Sequence, residues 1–279
     1  MSVAAIVVAI HMTAATSVAD AAFLAQAGFN DASGINSDSA PNSPYILGAP
    51  ILGSGGGESG WTGTWFGGGT VQTATVLEGD GALRIDPVTS SNRNFAAQPS
   101  RLEIEQYVRF AAGARLVVYT LGSNSEDPGN HGAIWQAFPN GNFNVIDGIG
   151  DGGSPTPIAT GFTWTPNTWY KVNLDIDLLN HVWDFYVDDV KYIPENPLGY
   201  RGNPAALNQI RFQSEGSGPV FLDALTIVPE PSMAMLASIG MLTFLALLGT
   251  RQMTNRRKKG VRNLFRDPKH CRAQSAARN

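Results

Sequence analysis

Cysteine is nearly absent: Cys271 is the single one in 279 residues. That excludes an intrachain disulfide and leaves most of the chain without thiol chemistry, so stability has to come from packing. Charge is scarce too, at 15% Asp, Glu, Lys and Arg, and there are four histidines. Only His131 and His181 fall in the long middle of the chain, too few for a zinc site of the usual kind. No Gly-x-Ser-x-Gly surrounds a serine, and a Ser-His-Asp arrangement would depend on those same two histidines. Glycine (31 residues) and proline (17) are plentiful beside 43% hydrophobic residues. Such a composition argues against both a helical bundle and a disordered chain and favours short strands joined by turns. The length suits one all-β domain with a substantial core.

The formal charge of −4 hides an asymmetry. Residues 251–279 carry ten Lys or Arg against one acid, Asp267, which leaves nine basic and twenty-two acidic residues in 1–250. A basic block of this kind could bind nucleic acid or flank a membrane span on its cytoplasmic side. The second reading is preferred, and no nucleic-acid partner is expected, because Arg251, Arg256, Arg257, Lys258 and Lys259 follow directly on Met233 to Thr250, eighteen residues without a charge. A helix of that length reaches about 27 Å, enough for a bilayer. At the other end, Val3 to Ile10 is an apolar run leading to Ala19-Asp20-Ala21, the order of a cleaved secretory signal, although no Lys or Arg precedes it. A buried N-terminal strand or helix is the alternative there.

Val228-Pro229-Glu230-Pro231-Ser232, then a single apolar span, then arginines: this tail resembles the PEP-CTERM sorting signal of Gram-negative bacteria over residues 228–259. The resemblance implies export and anchoring in the inner membrane, with the body outside the cytoplasm. It also implies processing near Pro-Glu-Pro by an exosortase, and release or transfer toward exopolysaccharide at the cell surface. Twenty further residues, Gly260 to Asn279, follow the basic cluster, more than such tails usually carry. Prolines 229 and 231 are expected to forbid helix and ladder pairing and to keep the motif extended.

The expected organisation is a signal peptide at 1–21, Gly/Ser/Asn-rich loops and first strands at 22–70, and a β-sandwich at 71–227. The sorting motif at 228–232, a transmembrane helix at 233–250 and a basic cytoplasmic tail at 251–279 follow. Period-two alternation marks strands at 71–77, 82–86, 102–110, 115–121, 133–138, 143–146, 209–213 and 220–227. The clearest pair, 168–177 and 181–188, predicts an antiparallel hairpin around Leu178-Leu179-Asn180. So many short strands predict an all-β antiparallel jelly roll or sandwich. Trp169-Tyr170-Lys171-Val172 with Asp175 and Asp177, Phe185 to Asp189, and Phe221 to Ile227 resemble the second half of concanavalin A-like, laminin-G-like domains. That resemblance implies a curved two-sheet fold, on which function varies widely.

Candidate chemistry is thin. Glycan-cleaving enzymes on such folds set carboxylates along one strand as Glu-x-Asp-x-x-Glu, a pattern this chain lacks. Glu103 with Glu105, and Asp175 with Asp177, share strand faces, yet a solvated acidic surface explains them as well. No catalytic residue is assigned. Trp61, Trp65, Trp135 and Trp164 are candidates either for sugar stacking or for plugging the core. Asn140, Asn142, Asp147 and Asp151 lie in glycine-rich loops, where they would either bind Ca²⁺ or fix turns. Three functions therefore compete: a non-catalytic surface or matrix protein, a lectin-like carbohydrate-binding module, and a glycan hydrolase.

Overall fold

In the computed structural model the alternating segments form two antiparallel sheets packed face to face. It describes residues 25–29, 45–54, 61–77, 79, 81–123 and 127–229. The chain divides into two units, Met1–Glu230 and Pro231–Asn279, and every described residue belongs to the first. The signal peptide, the apolar span 233–250, the basic tail and Glu230, Pro231 and Ser232 of the sorting motif lie outside the described residues. No helix among the described residues is long and apolar enough to cross a membrane.

Strands are numbered here in chain order. The first sheet runs β13 (Val190–Lys191), β12 (Val182–Val187), β11 (Trp169–Asp177), β6 (Arg101–Phe110), β16 (Val220–Pro229), β4 (Ala82–Ile85) and β3 (Thr70–Gln72). Two short strands add to it, β1 (Ala25–Ala27) on β16 and β14 (Leu198–Gly199) on β12. The second sheet runs β10 (Ile158–Thr163), β9 (Asn142–Val145), β8 (His131–Ala137), β7 (Leu116–Leu121), β15 (Leu207–Ser214), β5 (Thr89–Gln98) and β2 (Phe66–Gly67). This is an all-β antiparallel sandwich.

Successive strand residues point to opposite faces, so alternation puts one set inside. On β6 the inward set includes Leu102, Ile104, Val108 and Phe110, all fully buried, while Arg101 and Glu103 between them are exposed. From the second sheet come Val118, Trp135, Phe143, Ile210 and Phe212, also fully buried. An aromatic seam joins the layers: Trp135 and Phe143 of the second sheet stand 5.9 and 6.3 Å, ring centre to ring centre, from Phe185 of the first. Each such ring pair contributes on the order of 1 kcal/mol beyond the area it buries.

The expected hairpin is present, with β11 and β12 in register from Val172 opposite Val187 to Asp177 opposite Val182. Its turn is held by Asp177, whose carboxylate accepts from the Leu179 and Asn180 N–H groups, each at 3.0 Å, and from Asn180 Nδ2 at 2.9 Å. Arg101 Nε lies 3.2 Å from the same carboxylate. Burial by itself would raise the Asp177 pKa, but the Asn180 donors, Arg101 and the Leu179 N–H outweigh it and hold the carboxyl below its ordinary value.

Pairing and burial extend past the bounds expected from sequence at both ends of the sandwich segment. Pairing continues into the sorting motif, with Val228 opposite Glu103 and Pro229 opposite Leu102. A proline lacks only the N–H, so it can occupy the last position of a ladder without breaking the pairs before it. The glycine-rich stretch 22–70 also contributes core directly: Phe29, Tyr45, Ile51 and Trp65 are all but fully buried. Tyr45 is fastened to β5 by Arg93, a fully buried cation whose Nη1 donates to Tyr45 Oη at 3.0 Å, and Trp65 Nε1 donates to the same oxygen at 2.8 Å. The Arg93 guanidinium also lies 4.5 Å from the Trp61 ring centre.

One interior residue works against stability. Gln106 points into the sandwich from β6, fully buried, and neither its Oε1 nor its Nε2 finds a hydrogen-bond partner among the described residues. Gln106→Leu keeps the volume and removes two orphaned polar atoms, so it should raise the thermal midpoint by a few degrees, a gain of about 1–3 kcal/mol. Asp177→Ala should do the reverse, destabilising by about 1–3 kcal/mol at neutral pH. Because the folded carboxyl titrates below its unfolded value, that contribution is complete above about pH 4 and is lost as pH falls through the folded pKa. Denaturant unfolding of both proteins across this range should therefore show the gap between wild type and variant closing in acid.

Candidate functional site

The seven-stranded sheet is buried on both faces near its centre. All seven residues of β8 are buried, although a strand covered on one side would show only every second one. Val117, Ile134 and Ile146, with Tyr119 against them, form a second apolar cluster on the face turned away from the main core. Cross-strand register sets polar side chains around it. Asn92, Arg211 and Tyr119 face one another across β5, β15 and β7, and Tyr119 stands opposite Ile134 on β8. In the next row Ser90, Gln213, Val117, Gln136 and Asn144 follow from β5 to β9.

Residues 146–157 cover part of this face. Their backbone pairs with the end of β14 and the residues that follow it: Gly148 N donates to Gly199 O at 3.2 Å, Gly150 N to Tyr200 O at 2.9 Å and Gly152 N to Arg201 O at 2.8 Å. The approach is so close that a Cβ at Gly148 would collide with the Tyr200 carbonyl, and one at Gly202 with the Pro128 and Gly129 carbonyls. A cavity of about 140 Å³ is left between loop and sheet. Tyr119, Gln136, Ser154 and Arg201 supply its polar lining, and Ile134, Ile146, Pro155 and Pro157 its apolar lining.

Arg201 is fixed from three sides. Its Nε donates to Gly153 O at 2.6 Å, Nη2 to Ser154 Oγ at 3.2 Å, and Nη1 lies 3.4 Å from His131 Nδ1. Tyr119 packs edge-on against the His131 ring at 5.2 Å. Burial pushes the Tyr119 phenol above its ordinary pKa; Glu215 adds to this, while Arg201, Arg211 and Arg115 oppose it. Gln136 is 9% exposed, and its Oε1 has no hydrogen-bond partner among the described residues. A buried acceptor left open in a cavity wall is ready for a donor from outside the fold.

The residues anticipated from sequence are placed elsewhere. Trp65 and Trp135 are fully buried and Trp164 is 4% exposed, so their ring faces pack on the core and cannot stack on a sugar. Trp61 is half-buried against Trp65, Phe95 and the Arg93 guanidinium. Three of the four calcium candidates accept a backbone N–H: Asn140 Oδ1 takes the Asn142 N–H and Asp151 Oδ1 the Gly153 N–H within turns, and Asp147 Oδ1 takes the Gly199 N–H from a distant segment. Among the described residues no group of three or more His, Cys, Asp or Glu could hold a metal ion. Glu103 does face Asp175 across β6 and β11, on the outer face of the other sheet. Neighbouring acids on that sheet meet partners: Asn173 donates to Glu103, Lys171 Nζ lies 2.8 Å from Glu105, and Lys191 Nζ lies 2.6 Å from Asp184. Val228 and Pro229 end β16.

No family model matches the chain. Nor does any curated protein. Solved structures that resemble it include a sialidase, with a TM-score of 0.44 and 11% identity over 75% of this chain. This chain spans 19% of that sialidase. The alginate lyase Aly36B aligns with a TM-score of 0.40 and 16% identity over 59% of this chain and 87% of its own. The Emp46p carbohydrate recognition domain, in its potassium-bound form, aligns at 0.39 and 10% over 59% and 88%. At such distances the residues of the sheet face have to speak for themselves.

Sequence reasoning passed over Tyr119, Gln136, Arg201 and Arg211. The available signal was weak: Val117, Tyr119, Gln136 and Asn144 occupy the supposedly wet positions of strands whose other positions are plainly core, yet two of them are bulky and amphipathic.

Proposed function

We propose that this chain is an exported cell-envelope protein whose sandwich binds a glycan on the outer face of the seven-stranded sheet and does not cleave it. The observation that carries the binding reading is Gln136, with an unengaged Oε1 in the wall of a cavity shared with Tyr119 and Arg201. Sugars present many hydroxyls and few charges. They are recognised by planar amide and guanidinium groups and by an aromatic ring held rigidly in a partly apolar recess. Asn92, Asn144 and Gln213 extend this amide-rich surface beyond the cavity. Among the described residues lining the cavity none is an Asp or Glu, so they do not supply the two carboxylates that glycoside hydrolysis ordinarily needs.

Support for export comes from the sequence: the apolar runs at 3–10 and 233–250, the Pro-Glu-Pro at 229–231 just before the second run, and the basic block after it. In this reading the tail holds the sandwich outside the inner membrane until an exosortase-type enzyme processes it, and exopolysaccharide is the natural ligand pool.

Screening the purified protein against a glycan array should give binding that Gln136→Leu weakens by about tenfold, the value of one buried hydrogen bond. Silence on every glycan would overturn the binding reading, and a steady release of shorter oligosaccharides would overturn the non-catalytic one. Mass spectrometry of the protein from its native envelope should find termini near Ala21 and Glu230. A mature form retaining both Met1 and Asn279 would refute the processing scheme.

A further inference from the structure

Strand direction gathers several chain ends on one side of the sandwich. β16 runs from Val220 to Pro229, and its last residue lies opposite Leu102, near the start of β6. β1 is antiparallel to β16, with Ala25 against Ile227, so β1 begins at this end too. β6 in turn aligns Arg101 with Asp177, the last residue of β11. The turn Leu178-Leu179-Asn180 therefore projects from the same end as Pro229, two strands across, or about 10 Å sideways.

Two loop residues at this end are apolar and open to solvent. Leu179 is 72% exposed in the turn, and Ile149 is 88% exposed on the loop 146–157. Ile149 shares a recess of about 390 Å³ with Asn180, His181, Tyr200 and Asn203, which sets it beside the turn. A single exposed apolar side chain is ordinary. Val88 is as open, at 87%, and stands at the opposite end, close to where Ile85 faces Val220. What distinguishes Leu179 and Ile149 is the course of the chain. Only Glu230, Pro231 and Ser232 separate Pro229 from the uncharged run that begins at Met233. Fully extended, they allow at most about 14 Å between Pro229 and Met233. With that run in a bilayer, the end of the sandwich that carries Pro229 is kept close to the lipid surface.

We propose that this end of the sandwich is a docking surface for the lipid bilayer, with Leu179 and Ile149 entering the headgroup boundary while the protein is anchored. The proposal rests on the anchoring reading above and adds an orientation. The strands then stand steeply on the membrane, and the sheet face that holds Gln136 is turned sideways, open to a polymer. Two aliphatic side chains bind lipid weakly by themselves. The tether compensates, because so short a link holds the surface at an effective concentration of about millimolar or more. The contact is apolar, so added salt should leave it in place.

Spin labels on the full-length protein in vesicles of phosphatidylethanolamine and phosphatidylglycerol provide the test. On a Cys271→Ser background, single cysteines are introduced as Leu179→Cys, Ile149→Cys, Val88→Cys and Phe244→Cys. Each label's exposure to oxygen, which concentrates in lipid, is compared with its exposure to a water-soluble nickel chelate. The labels at 179 and 149 should favour oxygen, the label at 88 should favour nickel, and the label at 244 should sit deepest in lipid. Leu179→Asp should return the label at 149 to water, with about a tenfold loss of the docked fraction, the value of burying one leucine. Labels at 179 and 149 as open to nickel as the one at 88, with 244 still in lipid, would overturn the docking and leave the anchoring standing. So would a label at 149 that does not respond to Leu179→Asp. A label at 244 exposed to nickel would remove the anchoring reading, and the docking with it.

Discussion

Contact between Phe185 of one sheet and Trp135 and Phe143 of the other is the constraint on which the remaining structure depends. With no disulfide available, the layers are joined by apolar packing, and this seam sets which face of each central strand is interior. Once Trp135 points inward, Ile134 and Gln136 must point outward. Once Val118 does so, Val117 and Tyr119 are committed to the opposite face. The outer surface of the seven-stranded sheet is thus a geometric consequence of the core.

That outer surface is unusual because it is itself partly covered. The loop 146–157 lies over it, paired strand-like to 199–201 through glycines that allow backbones to touch. The coverage removes β8 from solvent and fixes Arg201 by its Nε and Nη atoms, at the expense of leaving Gln136 Oε1 without a partner. In the same way the buried Arg93 ties Tyr45, and with it the N-terminal glycine-rich stretch, to β5. Arginine, scarce in this part of the chain, serves twice as a fastener because its fork can hold several carbonyl or hydroxyl oxygens together.

How much could be read from the chain varied with residue type. The β11 and β12 hairpin was plain, since Val172, Leu174 and Ile176 alternate with polar residues and Asp177 to Asn180 form a turn. β5 was missed because its inward positions, Ser91 and Arg93 before Phe95, do not look like core. Its burial is produced by Trp61 and Tyr45, which lie 32 and 48 positions away. The tryptophans were legible as large apolar side chains, but whether a ring faces solvent or the core depends on what the opposite sheet puts against it. The aspartates of 147–151 read from the sequence either as calcium ligands or as turn-fixing acceptors, and the Gly199 N–H that Asp147 accepts lies too far along the chain to be foreseen.

By itself, then, the sequence determined the class of fold, the strand-rich middle and the ordering of apolar run, Pro-Glu-Pro, apolar span and basic block, because these depend on residues close together along the chain. Only the tertiary structure decided where the cavity lies and which residues line it. Tyr119, Gln136 and Arg201 come from three separate segments, and their meeting requires the pairing of β7 with β8 and of the 148–152 loop with 199–201. Local periodicity carries no information about contacts made at such separations.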